Sequence, residues 1–181
     1  MEIYFGHKSI DLDDCELLDS RNFAGREIVK NGRTVNGEGR RNFLVKIDPE
    51  QYDELFERGW DVGRFSAQNE EDEPTCFLRV NISYFKAEPR IHYIVEGNDT
   101  LLPEDRIDIL DRVNFERLDV RCDEVNKQKA NGNWVKKPFV RELWATVTAD
   151  RFRSRYAYLD PANRVEEPGN EPDAPDELPF K

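Results

Sequence analysis

The sequence predicts a mainly β protein with one or two short helices, and three observations carry that expectation. Apolar and polar residues alternate along Cys76–Phe85 and along both arms that flank Asn131-Gly132. Asn-Gly pairs recur at residues 31–32, 36–37 and 131–132, where turns between strands are expected because both residue types tolerate positive φ. One segment alone, starting at Asp48, carries a full set of helix start and stop signals.

Residues 1–20 mix apolar and acidic side chains without a clear period, and Cys15-Glu16-Leu17-Leu18 reads as a short first strand. Arg21 to Val29 reads as a strand, followed by a glycine-rich loop expected to be mobile unless bound. Asn42 to Ile47 then places Phe43, Val45 and Ile47 on one face. The helix follows, with Asp48 as N-cap, Pro49 at the first helical position and Gln51 completing a capping box. Tyr52, Leu55 and Phe56 share its apolar face, Arg58 suits its last turn, and Gly59 stops it. Trp60 to Phe65 should return as a strand, and Gln68 to Pro74 is an acidic loop.

Along Cys76–Phe85, the alternation puts Phe77, Arg79, Asn81, Ser83 and Phe85 on one face. That face is either a second small core or a surface able to stack on and grip bases. Arg90 to Glu96 is expected to pair with the strand before it, leaving His92 outward or at an edge. Pro103 to Leu110 reads as a short helix. Val113–Val125 and Asn133–Val147 form the arms of a long hairpin, with Trp134 the stacking candidate and Phe139 the core candidate, a parity that an edge or bulge at Pro138 would blur. A last short helix is expected over Asp150–Tyr158. Prolines 161, 168, 172, 175 and 179 then punctuate an acidic segment with little to bury, so disorder is expected there. The organisation is therefore a domain over 1–158 and a flexible acidic tail over 159–181.

The formal charge is −11, yet positive charge is concentrated in two places. Between residues 127 and 141 stand Lys127, Lys129, Lys136, Lys137 and Arg141, with no acid and with two aromatics. Between residues 21 and 46, seven cations (Lys30, Arg33, Arg40 and Arg41 among them) face only Glu27 and Glu38. Local charge sets the local field, whatever the net value. Cations for phosphates and rings for bases are what a single-strand groove needs. The plainer reading of the stretch from 127 to 141 is a solvated hairpin loop kept soluble by its lysines.

No apolar run approaches the roughly 18–20 residues that span a bilayer. Cys15, Cys76 and Cys122 contain no CxxC pair, which leaves no zinc ribbon or disulfide framework and suggests reduced thiols of a cytoplasmic protein. With two histidines and no GxxxxGK[ST], GxGxxG or HExxH motif, no catalytic residue, metal ligand or cofactor is assigned. A metal nuclease built on the abundant carboxylates is the minor enzymatic alternative.

The ending Asp176-Glu177-Leu178-Pro179-Phe180 resembles the acidic tip of bacterial single-stranded DNA-binding proteins, which implies docking of replication or repair partners. Lys181 departs from that pattern, in which Phe is last. Asn22-Phe23-Ala24-Gly25, Gly39-Arg40-Arg41-Asn42-Phe43, Gly59-Trp60-Asp61-Val62 and Glu70-Glu71-Asp72-Glu73-Pro74 are similar to words in single-stranded DNA-binding proteins of tailed bacteriophages. That resemblance implies an OB-like β-barrel with extended β-hairpins, in a host-cell cytoplasm if phage-encoded, and self-association is compatible with it. The expected function is non-catalytic, sequence-independent binding of single-stranded DNA during phage replication or recombination. The resemblance transfers no individual contact; from the pattern of charge and aromatic rings, the expected contacts are Lys30, Arg33, Arg40, Arg41, Phe77, Arg79, Phe85, Lys127, Lys129, Trp134, Lys136, Lys137 and Arg141. The alternative is an acidic interaction module, or DNA mimic, that binds a host DNA-handling enzyme.

Overall fold

A computed structural model describes residues 1–66, 73–85 and 87–148. Most of the acidic loop from Gln68, the helix expected over Asp150–Tyr158, the acidic tail and its tip lie outside the described residues.

Within these bounds the chain is mainly β. In order it forms β1 (Glu2–Gly6), β2 (Ser9–Asp13), β3 (Ile28–Lys30), β4 (Arg33–Asn36), β5 (Arg41–Ile47), α1 (Pro49–Glu57) and β6 (Val62–Phe65). There follow β7 (Thr75–Ile82), β8 (Arg90–Val95), β9 (Asn98–Leu101), a 3-10 helix (Glu104–Asp111), β10 (Phe115–Gln128) and β11 (Trp134–Val147).

Five of these segments close on themselves. β2 pairs antiparallel with β10, β10 with β11, and β5 with β7, while β11 runs parallel to β7 at Phe139–Asn81. The circuit closes through the chain just beyond β2. The Cys15 N–H donates to the Leu118 carbonyl (2.8 Å). Lys46 N–H then donates to Glu16 O (2.8 Å) and Leu18 N–H to Leu44 O (2.9 Å), so the same segment crosses from β10 to β5. Numbered along the chain, the barrel strands run 1-2-3-5-4-1, which is OB-like connectivity. β8 continues the course of β7 along β11, from Glu142↔Arg90 to Val147↔Val95.

The core is what the alternation requires. Ile10, Leu12, Phe43, Val45, Leu78, Val80, Leu118 and Leu143 are all buried inside this circuit. Phe23 stacks on Phe43 with ring centroids 5.1 Å apart. The helix has its capping box, with the Asp48 carboxylate accepting from Gln51 N–H and the Gln51 side chain accepting from Asp48 N–H. Of its expected apolar face, only Leu55 is buried. Phe56 is exposed and stacks on Tyr52.

Several expectations need correction. A β1–β2 hairpin occupies the region that showed no period. Arg21 to Val29 is not a strand: it touches β5 through one bridge, Asn22↔Asn42, and strand geometry begins at Ile28. The strand expected to reach Phe85 ends at Ile82. β8 pairs with β11 and β9 rather than with β7. At the second hairpin only Gly132 takes positive φ, whereas Asn31 and Gly32 both do at the first.

Candidate nucleic-acid interface

The outer side of the barrel follows from register, because residues paired across strands share a face. On β7, Phe77, Arg79 and Asn81 alternate with buried Cys76, Leu78, Val80 and Ile82. Across the β5 edge, Lys46 stands opposite Phe77, Leu44 opposite Arg79 and Asn42 opposite Asn81. Across the other edge, Gly63 of β6 lies opposite Phe77, and Phe139 of β11 lies opposite Asn81. Leu44 is itself covered, so the open part of this face is Lys46, Phe77, Arg79, Asn81 and Phe139.

Phe77 is half-buried and stacks on exposed Phe65, with centroids 4.5 Å apart. Gly63 makes room for that ring: a Cβ there would come within 2.3 Å of Phe77 Cζ. The pair is thus a small surface aromatic cluster rather than a second core.

Phe139 is not in the core, contrary to its sequence pattern. The β10–β11 register slips between Arg121 and Cys122, leaving Arg141 as an extra residue. One extra residue reverses the face of everything beyond it. Leu143 and Val140 therefore both point inward, while Phe139 and Lys137 point outward. Trp134 and Lys136 share the opposite side, as expected. Trp134 is exposed at the hairpin tip, and Lys136 lies over the ring of buried Trp60 at 6.0 Å. The structure therefore does not bring Trp134 onto the side that carries Phe77.

Both basic stretches are loops of the barrel. The first connects barrel strands one and two and carries β3–β4. Lys30, Arg33 and Arg40 on it are exposed, and none makes an ion pair with another described residue. Its root is firmly hydrogen bonded rather than loose. Asn36 Nδ2 donates to Arg40 O (2.7 Å), Asn42 Nδ2 to Asn36 Oδ1 (2.9 Å), and Asn22 Nδ2 to Arg26 O (2.8 Å). The Asp111 carboxylate accepts from the N–H groups of Phe23 (2.7 Å) and Ala24 (2.9 Å). Arg41 is turned away from solvent, paired with Glu104 (2.8 Å) and set over the Tyr84 ring at 5.3 Å. Burial pushes the Tyr84 hydroxyl up to about 12. Phe85, just beyond, is 90% exposed, in the connection between β7 and β8 rather than on a strand.

The second basic stretch runs from Lys127 on β10, round the turn, to Arg141 on β11, and most of its cations have acidic partners. Lys136 pairs with Glu124 (3.1 Å) and Arg141 with Asp123 (3.5 Å). Asp61 holds two lysines at once, Lys129 at 2.6 Å and Lys137 at 3.2 Å. Partial burial favours the neutral acid, but hydrogen bonds from Lys129 and then Lys137 outweigh it and hold the Asp61 carboxyl below the usual value. Lys127 and Arg79 make no ion pair with another described residue.

Lys46, Phe65, Asn81 and Phe139 were not among the expected contacts. Lys46 and Asn81 were visible in the alternation of their strands, but only pairing shows which neighbours they join. Among the described residues, no group of three or more His, Cys, Asp or Glu side chains could hold a metal ion, and no helix is long and apolar enough to cross a membrane.

An OB-like barrel with cations and rings across one outer face, and basic hairpins on the loops beside it, is an architecture that takes oligonucleotides or oligosaccharides. The chain belongs to the family described as "Putative phage ssDNA-binding domain", whose profile matches residues 2–176. Among solved structures it is similar to gp2.5, a single-stranded DNA binding protein encoded by bacteriophage T7. That likeness has 11% identity and a TM-score of 0.35, and covers 89% of this chain and 98% of that one. No curated protein matches the sequence.

Proposed function

We propose that this protein binds single-stranded DNA without sequence preference and without catalysis, and serves phage DNA replication or recombination. The observation that carries this reading is the outer face of β5, β7 and β11. Lys46 and Phe77 form one cross-strand row there, Asn81 and Phe139 another, and Arg79 stands in the row between them. OB-type barrels take oligonucleotides across strands two and three, between the loops that follow strands one and four. Here those loops are the two basic hairpins. Aromatic rings then stack on bases, at about 1–3 kcal/mol per base, and cations follow the phosphates. Family membership supports the same reading.

Fluorescence anisotropy of a labelled oligothymidine, repeated from low to moderate salt, tests it. Log affinity should fall linearly with log salt, by about 0.7 per phosphate contact on a single strand. Absence of binding even at low salt overturns the reading. Lys136→Glu with Lys137→Glu separates it from the interaction-module alternative, since the double reversal abolishes DNA binding but leaves inhibition of a protein partner largely intact.

Asp176, Glu177, Leu178, Pro179 and Phe180 are assigned to partner docking, a reading supported by their acidic and apolar character. The acidic segment before them also competes with DNA for the basic loops. Deleting residues 161–181 should tighten oligothymidine binding at low salt. An unchanged or weaker affinity counts against the competition.

A further inference from the structure

Asp61 stands where the proposed DNA path meets the second hairpin, and its placement is unusual for an acid. It follows Trp60, which is buried, and its main-chain N–H donates to Lys136 O (2.9 Å). Lys136 N–H in turn donates to Gly59 O (2.8 Å), so the Asp61 backbone is stitched to the stalk of the hairpin. Its two carboxylate oxygens each meet one ammonium, Lys129 from the tip and Lys137 from the returning strand. Lys129 and Lys137 are separated along the chain by the turn, yet they converge on one oxyanion. Both ammoniums keep part of their surface in water, at 42% and 33% side-chain exposure. Two such ammoniums around one anion are what a backbone phosphate would require.

We propose that Asp61 is a built-in counter-anion. In the free protein it occupies the place between Lys129 and Lys137 that a phosphate of single-stranded DNA takes on binding. The consequence is a site whose lysines are gathered in advance, but whose charge is masked until DNA displaces the carboxylate. This rests on the reading that the protein binds single-stranded DNA.

The experiment compares wild type, Asp61→Asn and Glu116→Gln in the oligothymidine salt series. Glu116 is at the far end of β10 from the tip, so its variant controls for a general loss of negative charge. Asp61→Asn should bind about three- to tenfold tighter at low salt, with a log–log slope steeper by about 0.7–1.4, as one or two more lysines meet phosphates. Glu116→Gln should leave both unchanged. In the unaltered protein, the Asp61 side-chain carboxyl 13C resonance should move on saturation with oligothymidine. Wild-type binding with an unmoved resonance, an unchanged or weakened Asp61→Asn, or equal tightening by Glu116→Gln each overturns the proposal while leaving the DNA-binding reading in place. Failure of wild type to bind overturns both.

Discussion

Phe139 faces Asn81 across the parallel seam between β11 and β7, on the outside of the barrel. Asn81 Nδ2 fastens the same seam by donating to Pro138 O at 3.2 Å. Phe139→Ala should therefore weaken oligothymidine binding by about fivefold or more, as loss of one stacking ring implies. It should move the melting temperature little, because this ring is not part of the core. A large thermal loss without a change in affinity would place Phe139 inside after all.

Gly63 serves Phe77 by having no side chain. A methyl group there would collide with Cζ, Cε2 and Cε1 of that ring, at 2.3, 2.6 and 3.0 Å. Gly63→Ala should swing the ring off its stack with Phe65 and reduce DNA affinity about as much as Phe77→Ala does. The comparison is made by titrating both variants under one salt condition. Intact affinity in Gly63→Ala would remove Phe77 from the binding face.

Asp111 anchors the first hairpin by accepting two main-chain N–H groups, from Phe23 and Ala24. Asp111→Ala leaves both without their acceptor, at a cost of about 1–3 kcal/mol. A melting curve should show a loss of several degrees, with a smaller loss in Asp111→Asn, which keeps one carbonyl oxygen.

The lowered carboxyl of Asp61 has a signed consequence for acid stability. Its folded value lies below its ordinary one of 3.8, so its lysine pairs stabilise the fold fully above that pH. The contribution disappears as pH falls from about 3.8 through the folded value. In urea titrations, wild type should exceed Asp61→Asn near neutral pH, and the gap should close in that acidic window. A gap constant with pH would mean that the lysine pairs add nothing to stability.

What could be read from the sequence was what is local. The capping box of Asp48 and Gln51, and the two arms around Asn131-Gly132, are encoded within a few residues of themselves. The β1–β2 hairpin went unseen because the two central residues of its turn are His7 and Lys8, and Lys8 takes a φ of 59° that glycine or asparagine usually supplies. The alternation alone misplaces Phe139 because of the bulge at Arg141, whose one local sign is the nearby Pro138. Pairing of β8 with β11 joins distant segments in parallel, and no turn between them announces it. The basic loops were legible as charge. Of their acidic partners, Asp123 and Glu124 lie on the second hairpin's own first arm, whereas Asp61 and Glu104 come from distant parts of the chain and were not legible.

The closure of the barrel also constrains when the protein can exist as such. Asp14 N–H reaches the Asp119 carboxylate across 105 residues, beside the bond from Cys15 to Leu118. β11, the last described strand, is needed by β10, β7 and β8 alike. Contacts so distant in sequence form slowly, because loop-closure entropy is lost before they can compensate for it. During synthesis the N-terminal strands must wait, unpaired at the seam, until nearly the whole barrel sequence has left the ribosome. Nascent chains that stop before Trp134 should remain sensitive to protease, and those that extend past Val147 should become resistant in one step.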